Sequence, residues 1–256
     1  MVNIGVQRFY YQFESDLKKE KLKIGILFLL FLFQVITSII TTFYMDELLQ
    51  MFGIEFLNPI EPSGEVAFLD FLNDQILFGL LIMTLGTMNI FSSDISDGSI
   101  EFYLSRPISR TNYTISKSLS RIISLITPLL LASICGWVYL GLTFEWMSLT
   151  KLLVALIPLI LLFIYFITIT GMLSARYTST TAGMGSLAII IVQLTISAFK
   201  PLELLSPFTL SSIWSTILMG DKLVFTGDNL LYIGGLLFWV IIPLIIAIHI
   251  MRTRDF

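Results

Sequence analysis

The residue types that carry chemistry in most enzymes are scarce in this chain. It has a single cysteine, Cys135, and a single histidine, His249, so the sequence holds neither paired cysteines nor a His-Glu-x-x-His pattern for a metal. It also lacks the Gly-x-x-x-x-Gly-Lys-Ser/Thr loop that cradles phosphates. We therefore expect a chain that is not an enzyme and that binds no metal or cofactor of its own. The side chains able to bind or dock a partner are concentrated between Ser92 and Lys117.

Two short helical patterns divide this polar stretch. Asp97 can cap a first helix that opens with Gly98 and Ser99. Pro107 disfavours a helical conformation for the residue before it, so this helix is about two turns long. Ser109 can then cap a second helix that continues into the next apolar run. The sequence predicts a short helix held rigidly between two longer ones.

The first short helix has an apolar and aromatic face. Ile100, Tyr103 and Leu104 recur at spacings of three and four, and Phe102 lies among them. A contiguous apolar face on a polar segment is typical of a surface that docks another protein. The alternative is a solvated loop with ordinary positive charges, and the sequence favours docking. The charged residues at the edges of this face are Glu101, Arg106 and Arg110.

The elements that position this stretch are membrane spans. The chain of 256 residues is 56% hydrophobic and 13% charged, with a mean hydropathy of +0.89, whereas about a quarter of the residues of soluble domains are charged. Six apolar runs come near the length needed to cross about 30 Å of hydrocarbon. They cover residues 24–44, 75–91, 122–142, 152–175, 182–199 and 230–251. We predict an all-α membrane protein with six transmembrane helices in a single domain, residues 1–256.

The positive charges predict the orientation. Lysine and arginine stay on the cytoplasmic side of short loops, and six spans leave both termini on the same side. The face that carries both termini and residues 94–117 has twelve of the 15 basic residues. The loop from Met45 to Asp74, on the opposite face, has seven acidic residues and no basic one. We predict a multi-pass protein of the cell (plasma) membrane with both termini cytoplasmic.

The residues before the first span are amphipathic. Apolar residues recur there at steps of four and three, which places them on one helical face: Val2, Val6, Phe9, Phe13 and Leu17. This pattern predicts an interfacial helix over residues 1–23, lying in the cytoplasmic surface of the membrane. The alternative is a helix packed on the surface of another protein.

The outer segment before the last span, residues 200–229, is too apolar for a solvated linker. We predict that it dips into the membrane, which requires that protein or water satisfies its backbone polar groups.

Large polar side chains inside the spans are few, and the best candidates for a substrate pathway are the amides Gln34, Asn89 and Gln193. An amide is costly to leave facing lipid. These side chains therefore either form hydrogen bonds between helices or line a substrate pathway, and the sequence leaves both interpretations open. No predicted span carries a clear mid-membrane Asp, Glu, Lys or Arg of the kind that ion-coupled carriers place there.

The stretch DGSIEFYLSRPISRTNYTISKSLSR, residues 97–121, resembles the cytoplasmic loop of type-2 ABC transporter permeases. The resemblance is carried by Asp97, Gly98, Ser99, Glu101, Leu104, Ser105, Pro107, Ser109, Arg110, Tyr113 and Lys117. It extends over most of the chain, including LSPF at 205–208 and the final Arg-x-Arg-Asp-Phe. One departure lies before Gly98, where family members often have a Glu-rich turn and this chain has SSDISD.

The resemblance implies the membrane subunit of an ATP-driven exporter. Two permease copies, as a homodimer or a heterodimer, would form the translocation pathway. Two copies of a separate cytoplasmic ABC ATPase would hydrolyse ATP, with ATP and Mg bound on that partner. Residues 94–117 would be the coupling loop, and its short helix the coupling helix between spans 2 and 3. The residues expected to dock the ATPase are Asp97, Gly98, Ser99, Glu101, Phe102, Tyr103, Leu104, Arg106, Pro107, Ser109 and Arg110.

The sequence is also compatible with a different functional class. The same features would suit an ATP-independent channel or carrier, or a membrane scaffold that recruits a cytoplasmic partner. Partners other than lipid and these proteins are not indicated, and we expect no nucleic acid.

Overall fold

The computed structural model describes residues 4–51, 63–104, 109–143, 146–199, 206–212, 215, 217–218 and 227–254. Every regular element within these ranges is a helix, so the predicted all-α class is confirmed for the described residues. The helices are α1 (Ile4–Met51), α2 (Gly64–Asp74), a π-helical segment (Gln75–Gly79), α3 (Leu80–Thr87), α4 (Ser92–Ser96), α5 (Ser99–Leu104), α6 (Arg110–Thr143), α7 (Leu149–Ser174), α8 (Ser179–Ser197), α9 (Pro207–Ser211) and α10 (Gly227–Thr253).

Five helices of the described part have the length and composition of membrane spans. They are Leu22–Thr41 within α1, the whole of α6, α7 and α8, and Leu231–Thr253 within α10. Each overlaps one of the six predicted spans, because long uninterrupted runs of apolar side chains determine both the hydropathy pattern and the helix. The predicted multi-pass organisation is confirmed at this level.

The second predicted span, residues 75–91, is the one without a counterpart among these five helices, and it is built differently. Its helical path already starts at Gly64, one 11-residue helix before the predicted boundary. The path then continues through the π-helical segment Gln75–Gly79 and α3. The span predicted to start at residue 75 is therefore preceded directly by a helix that begins at Gly64. The acidic residues up to Asp74 interrupt the hydropathy pattern but leave the helical backbone intact.

The predicted interfacial helix is not a separate element. One continuous helix of 48 residues runs from Ile4 to Met51, about 70 Å at 1.5 Å per residue, and contains both the amphipathic segment and the first span. The helix predicted to end at residue 23 therefore continues into the first span, and the prediction of a separate helix is wrong. Nothing between the two segments stops a helix, because the residues around Lys23 include no proline.

Side-chain contacts set the direction of α7. Near its start, the Lys151 ammonium pairs with the Glu65 carboxylate of α2 at 2.8 Å. At its end, the Ser174 hydroxyl accepts hydrogen bonds from the backbone N–H groups of Phe91 and Ser92. The helix α7 therefore runs parallel to the path from α2 to α4. We call the two ends of the bundle the Lys151 end and the Ser174 end.

Both described ends of the chain lie toward the Ser174 end. The Gln75 amide donates to the Gln34 amide oxygen at 2.8 Å, and the Ser38 hydroxyl donates to Asp74 at 3.0 Å, so α1 runs antiparallel to α2. The N-terminal part of α1 then points toward the Ser174 end. At the other terminus, Met251 of α10 joins a buried cluster with residues from the end of α7.

The packed core surrounds α7. Phe163 and Phe166 are fully buried, and the ring of Phe208 in α9 lies 5.7 Å from that of Phe166. The Ser206 hydroxyl, just before α9, donates to the backbone carbonyl of Gln193 at 3.0 Å. Phe166 lies about 25 Å along α7 from its start. The described part of the outer segment thus reaches deep into the bundle, as its apolar composition predicts.

Candidate functional site

The helices α4 and α5 form a compact segment at the Ser174 end, which we call the α4–α5 segment (residues 92–104). Gly98 joins the two helices with φ +69°, a left-handed conformation that side chains disfavour. No atom lies within 4 Å of the position a Cβ would take at Gly98, so the backbone conformation alone favours glycine. Asp97 terminates α4, and its carboxylate accepts a hydrogen bond from the Ser96 hydroxyl at 3.4 Å. The helix α4 was not predicted.

The start of α6 confirms one sequence prediction. The Ser109 hydroxyl accepts a hydrogen bond from the Asn112 N–H at 3.1 Å, and the helix begins at Arg110. Ser109 is therefore the predicted cap. Arg106 and Pro107, which we expected to mark the end of the first short helix, lie outside the described residues. In the described part, α5 extends to Leu104.

The end of α7 caps the start of α4. The Ser174 hydroxyl accepts hydrogen bonds from the N–H groups of Phe91 at 3.1 Å and Ser92 at 3.0 Å. It also donates to the Ser92 hydroxyl at 3.3 Å. The first N–H groups of a helix lack partners within the helix, and the side chain of Phe91 at the N-cap cannot supply one. A hydroxyl from another helix therefore holds this end of the α4–α5 segment.

Asp94 connects the segment to α6. Its carboxylate accepts hydrogen bonds from the Tyr113 hydroxyl and the Lys117 ammonium, one turn apart on α6. The Asp94 and Lys117 side chains are only 15% and 13% exposed, and the Lys117 nitrogen lies 5.6 Å from the centre of the Tyr113 ring. A charge pair this well shielded from water is screened little by salt. The SSDISD departure therefore supplies the acid that anchors the segment.

An apolar cluster lies beneath the segment and corrects the predicted docking face. Ile100 is 2% exposed and packs with Tyr113 and Met251. Tyr103 is half-buried, and its ring lies 5.8 Å from that of Tyr113. Ile100 therefore faces the bundle, because the ends of α6, α7 and α10 supply its apolar partners. Docking through the exposed part of Tyr103 stays a prediction. The members of this cluster are Ile90, Phe91, Ile100, Tyr113, Ala175 and Met251, with Ile95, Tyr103 and Ile250 against it.

The outward face of the segment is polar in its described part. The exposed residues that we expected to dock the ATPase are Asp97, Gly98, Glu101 and Ser109, and Ser99 is half-buried. The side chains of Phe102 and Leu104 lie outside the description. The described part of the segment therefore presents a turn with two exposed carboxylates, Asp97 and Glu101, above the apolar cluster.

Arg110 does not point away from the bundle. Its guanidinium donates to the backbone carbonyls of Arg252 at 3.1 Å and Arg254 at 2.6 Å. The Arg254 guanidinium in turn donates to the carbonyl of Ala175 at 2.6 Å. Two arginines thus link the start of α6, the end of α10 and the end of α7.

The structure does not bring the three candidate pathway residues together. Gln34 bonds to Gln75 between α1 and the π-helical segment, and Gln193 accepts a hydrogen bond from the Tyr165 hydroxyl at 2.7 Å. Asn89 lies at the Ser174 end, where its amide oxygen is buried without a hydrogen-bond partner among the described residues. For Gln34 and Gln193 these contacts favour hydrogen bonds between helices. A pathway role for the three stays a prediction.

Sequence reasoning missed the residues that reach this site from far along the chain. Ser174 and Met251 lie at the ends of ordinary apolar runs, and Arg254 belongs to the final Arg-x-Arg-Asp-Phe, where no local pattern indicates its contact. No spacing signal connects them to residues 92–117. The end of every helix needs hydrogen-bond partners from elsewhere. Which residues supply them is decided only when the helices pack and their ends lie side by side.

The arrangement is thus a short polar element fixed to the ends of three long apolar helices. The family model described as ABC-2 family transporter protein matches residues 4–256. A search of curated proteins finds no match. Because the family match covers nearly the whole chain, this chain belongs to the ABC-2 family of transporter proteins.

Proposed function

We propose that the chain is the permease subunit of an ABC exporter and that the α4–α5 segment couples it to a separate cytoplasmic ATPase. Two permease copies would form the pathway, and two ATPase copies would bind ATP and Mg and dock at the Ser174 end. Family membership supports a membrane component of an ABC transporter. The coupling role rests on the geometry of the segment.

The observation that carries this proposal is the attachment of the segment. Ser174 holds its start, Asp94 holds α4 to Lys117 of α6, and Ile100 is buried among the ends of the spans. A force applied to the exposed turn at Gly98 would therefore reach α6 and α7 through direct contacts. A solvated loop would absorb the same force by bending, because loops with few buried contacts open at little cost. ATP binding could then shift the permease between two arrangements through this element.

The charge distribution supports a cytoplasmic Ser174 end. The described basic residues at that end include Arg110, Lys117, Arg176, Arg252 and Arg254. At the opposite end, Lys151 is paired with Glu65. Basic residues remain on the cytoplasmic side of the bilayer, so both termini would lie in the cytoplasm of a cell-membrane protein. The path from Gly64 through α3 would then also cross the membrane, which brings the number of crossings to six.

The test is recovery of the partner ATPase with the tagged, full-length permease from membranes. We expect recovery with the wild-type chain and at least a tenfold loss in Glu101→Arg, because Glu101 is an exposed carboxylate on the outward face. Glu65→Gln, a change of charge at the Lys151 end, is the matched control and should leave recovery unchanged. Equal recovery with all three chains would place docking elsewhere. Absence of any ATPase, together with transport that needs no ATP, would overturn the proposed function.

A further inference from the structure

We propose that Arg254 and Arg110 form a clamp that makes α10 and α7 follow the α4–α5 segment, so that the last helix takes part in coupling. This inference rests on the proposed function and extends it to the C-terminal end of the chain. Arg254 acts here as a positioning residue.

The clamp begins with the carbonyl groups that end two long helices. The last carbonyls of a helix have no partner within the helix and need one from elsewhere. The Arg110 guanidinium donates to the carbonyls of Arg252 and Arg254 at 3.1 and 2.6 Å. The Arg254 guanidinium donates to the carbonyl of Ala175 at 2.6 Å. One chain of hydrogen bonds therefore connects α6, α10 and α7 in sequence.

An apolar contact reinforces the same connection. Met251 is 1% exposed, and it belongs to the cluster that contains Ile100 of α5, Tyr113 of α6 and Ala175. The end of α10 thus packs directly beneath the α4–α5 segment. The backbone N–H of Arg254 still donates to the carbonyl of Ile250 at 3.0 Å, so helical geometry extends to the clamp.

Arginine suits this position for a geometric reason. A planar guanidinium presents several N–H donors in a fixed fork, so Arg110 can bind two carbonyls while its own orientation stays defined. The ammonium of lysine has donors that rotate on a flexible stem and would hold the helix ends less firmly. The segment already contacts α6 and α7 directly, and the clamp joins α10 to both of them. Displacement of the segment would move all three together.

The experiment compares Arg254→Gln with Arg252→Gln in the complete transporter reconstituted in proteoliposomes. Both variants remove one positive charge from the last turn of α10, but the Arg252 side chain is exposed. Three quantities are measured: recovery of the ATPase, the KM for ATP, and the increase in kcat of ATP hydrolysis that the permease causes, which we call the permease-dependent kcat. For Arg254→Gln we expect recovery and KM within twofold of wild type and about a tenfold lower permease-dependent kcat. Arg254→Lys should be intermediate, and Arg252→Gln should match wild type.

The outcomes separate the clamp from the docking role. Equal kcat values for Arg254→Gln and Arg252→Gln would overturn the clamp and leave the proposed function in place. Loss of ATPase recovery in Arg254→Gln would also overturn it, because Arg254 would then belong to the docking surface. If the wild-type chain recovers no ATPase, the proposed function fails. Hydrogen exchange of the last turn of α10 then tests the contact itself, and unchanged exchange in Arg254→Gln would overturn it.

Discussion

The pair between Asp94 and Lys117 offers the sharpest test of how the α4–α5 segment is held. Asp94→Asn removes the negative charge and leaves the Lys117 ammonium, 13% exposed, without its counter-charge. Breaking a fully buried pair in this way costs roughly 3–5 kcal/mol. Because this pair keeps some contact with water, we expect a smaller loss of stability, about 2 kcal/mol. This loss lowers the free energy needed to detach the segment from α6.

Hydrogen exchange measures this attachment directly. If opening of the segment becomes easier by about 2 kcal/mol, its amides exchange about 30-fold faster. Peptides that cover residues 92–104 should show the change, and peptides from α7 should not. Recovery of the partner ATPase should fall in parallel, because the exposed turn would no longer have a defined position.

Two controls make the result decisive. Asp97→Asn removes a carboxylate three residues away that is exposed, and it should leave exchange unchanged. The double variant Asp94→Asn with Lys117→Met removes both charges and should recover much of the loss, since no uncompensated charge remains. Equal acceleration in Asp94→Asn and Asp97→Asn, or no recovery in the double variant, would refute the reasoning.

Two further predictions concern stability. Gly98→Ala should destabilise the α4–α5 segment by about 1–2 kcal/mol because φ is +69°, whereas Gly234→Ala, on an exposed face of α10 with open space around it, should be neutral or stabilising. Hydrogen exchange of residues 92–104 measures the effect of Gly98→Ala, and thermal unfolding in detergent measures that of Gly234→Ala. Equal destabilisation by the two variants would contradict the argument from the positive φ of Gly98. Gln34→Leu should cost about 1–3 kcal/mol because it leaves the buried Gln75 amide unpaired. The double variant Gln34→Leu with Gln75→Leu should unfold at a higher temperature than Gln34→Leu, and a lower one would contradict the pairing.

Local signals predicted the start of α6 and the turn before α5, but they did not predict α4, which Asp97 ends instead of capping α5. Ser109 caps α6 as its position before a helical pattern indicated, and Gly98 lies at the turn that opens α5. Such features depend on residues within one turn of each other, so a single sequence contains all the information they need. The five long apolar helices follow from composition in the same way.

The predictions that failed involved segments with two possible environments. The amphipathic residues before Lys23 suit either a separate helix on the membrane surface or an extension of the first span, and the structure has the extension. The residues from Gly64 to Asp74 lie in the predicted outer loop, and they form a helix that continues through the π-helical segment into α3. A hydropathy value is an average over a window, so it is low for a helix with several polar side chains even when those side chains are paired inside the bundle. Asp74 is an example, since its carboxylate accepts a hydrogen bond from the Ser38 hydroxyl.

The sequence by itself determined a helical membrane protein and the cap that begins α6, and it predicted the side of the bilayer on which the basic residues lie. It also carried the resemblance that the family match confirmed. Only the tertiary structure decided which way the α4–α5 segment faces. Ile100 turns inward because Met251, about 150 residues later, supplies its apolar partner, and Arg110 turns inward because Arg252 and Arg254 present carbonyls to it. Caps and spans arise from neighbours along the chain, whereas the direction of a side chain depends on which distant helix ends are packed beside it.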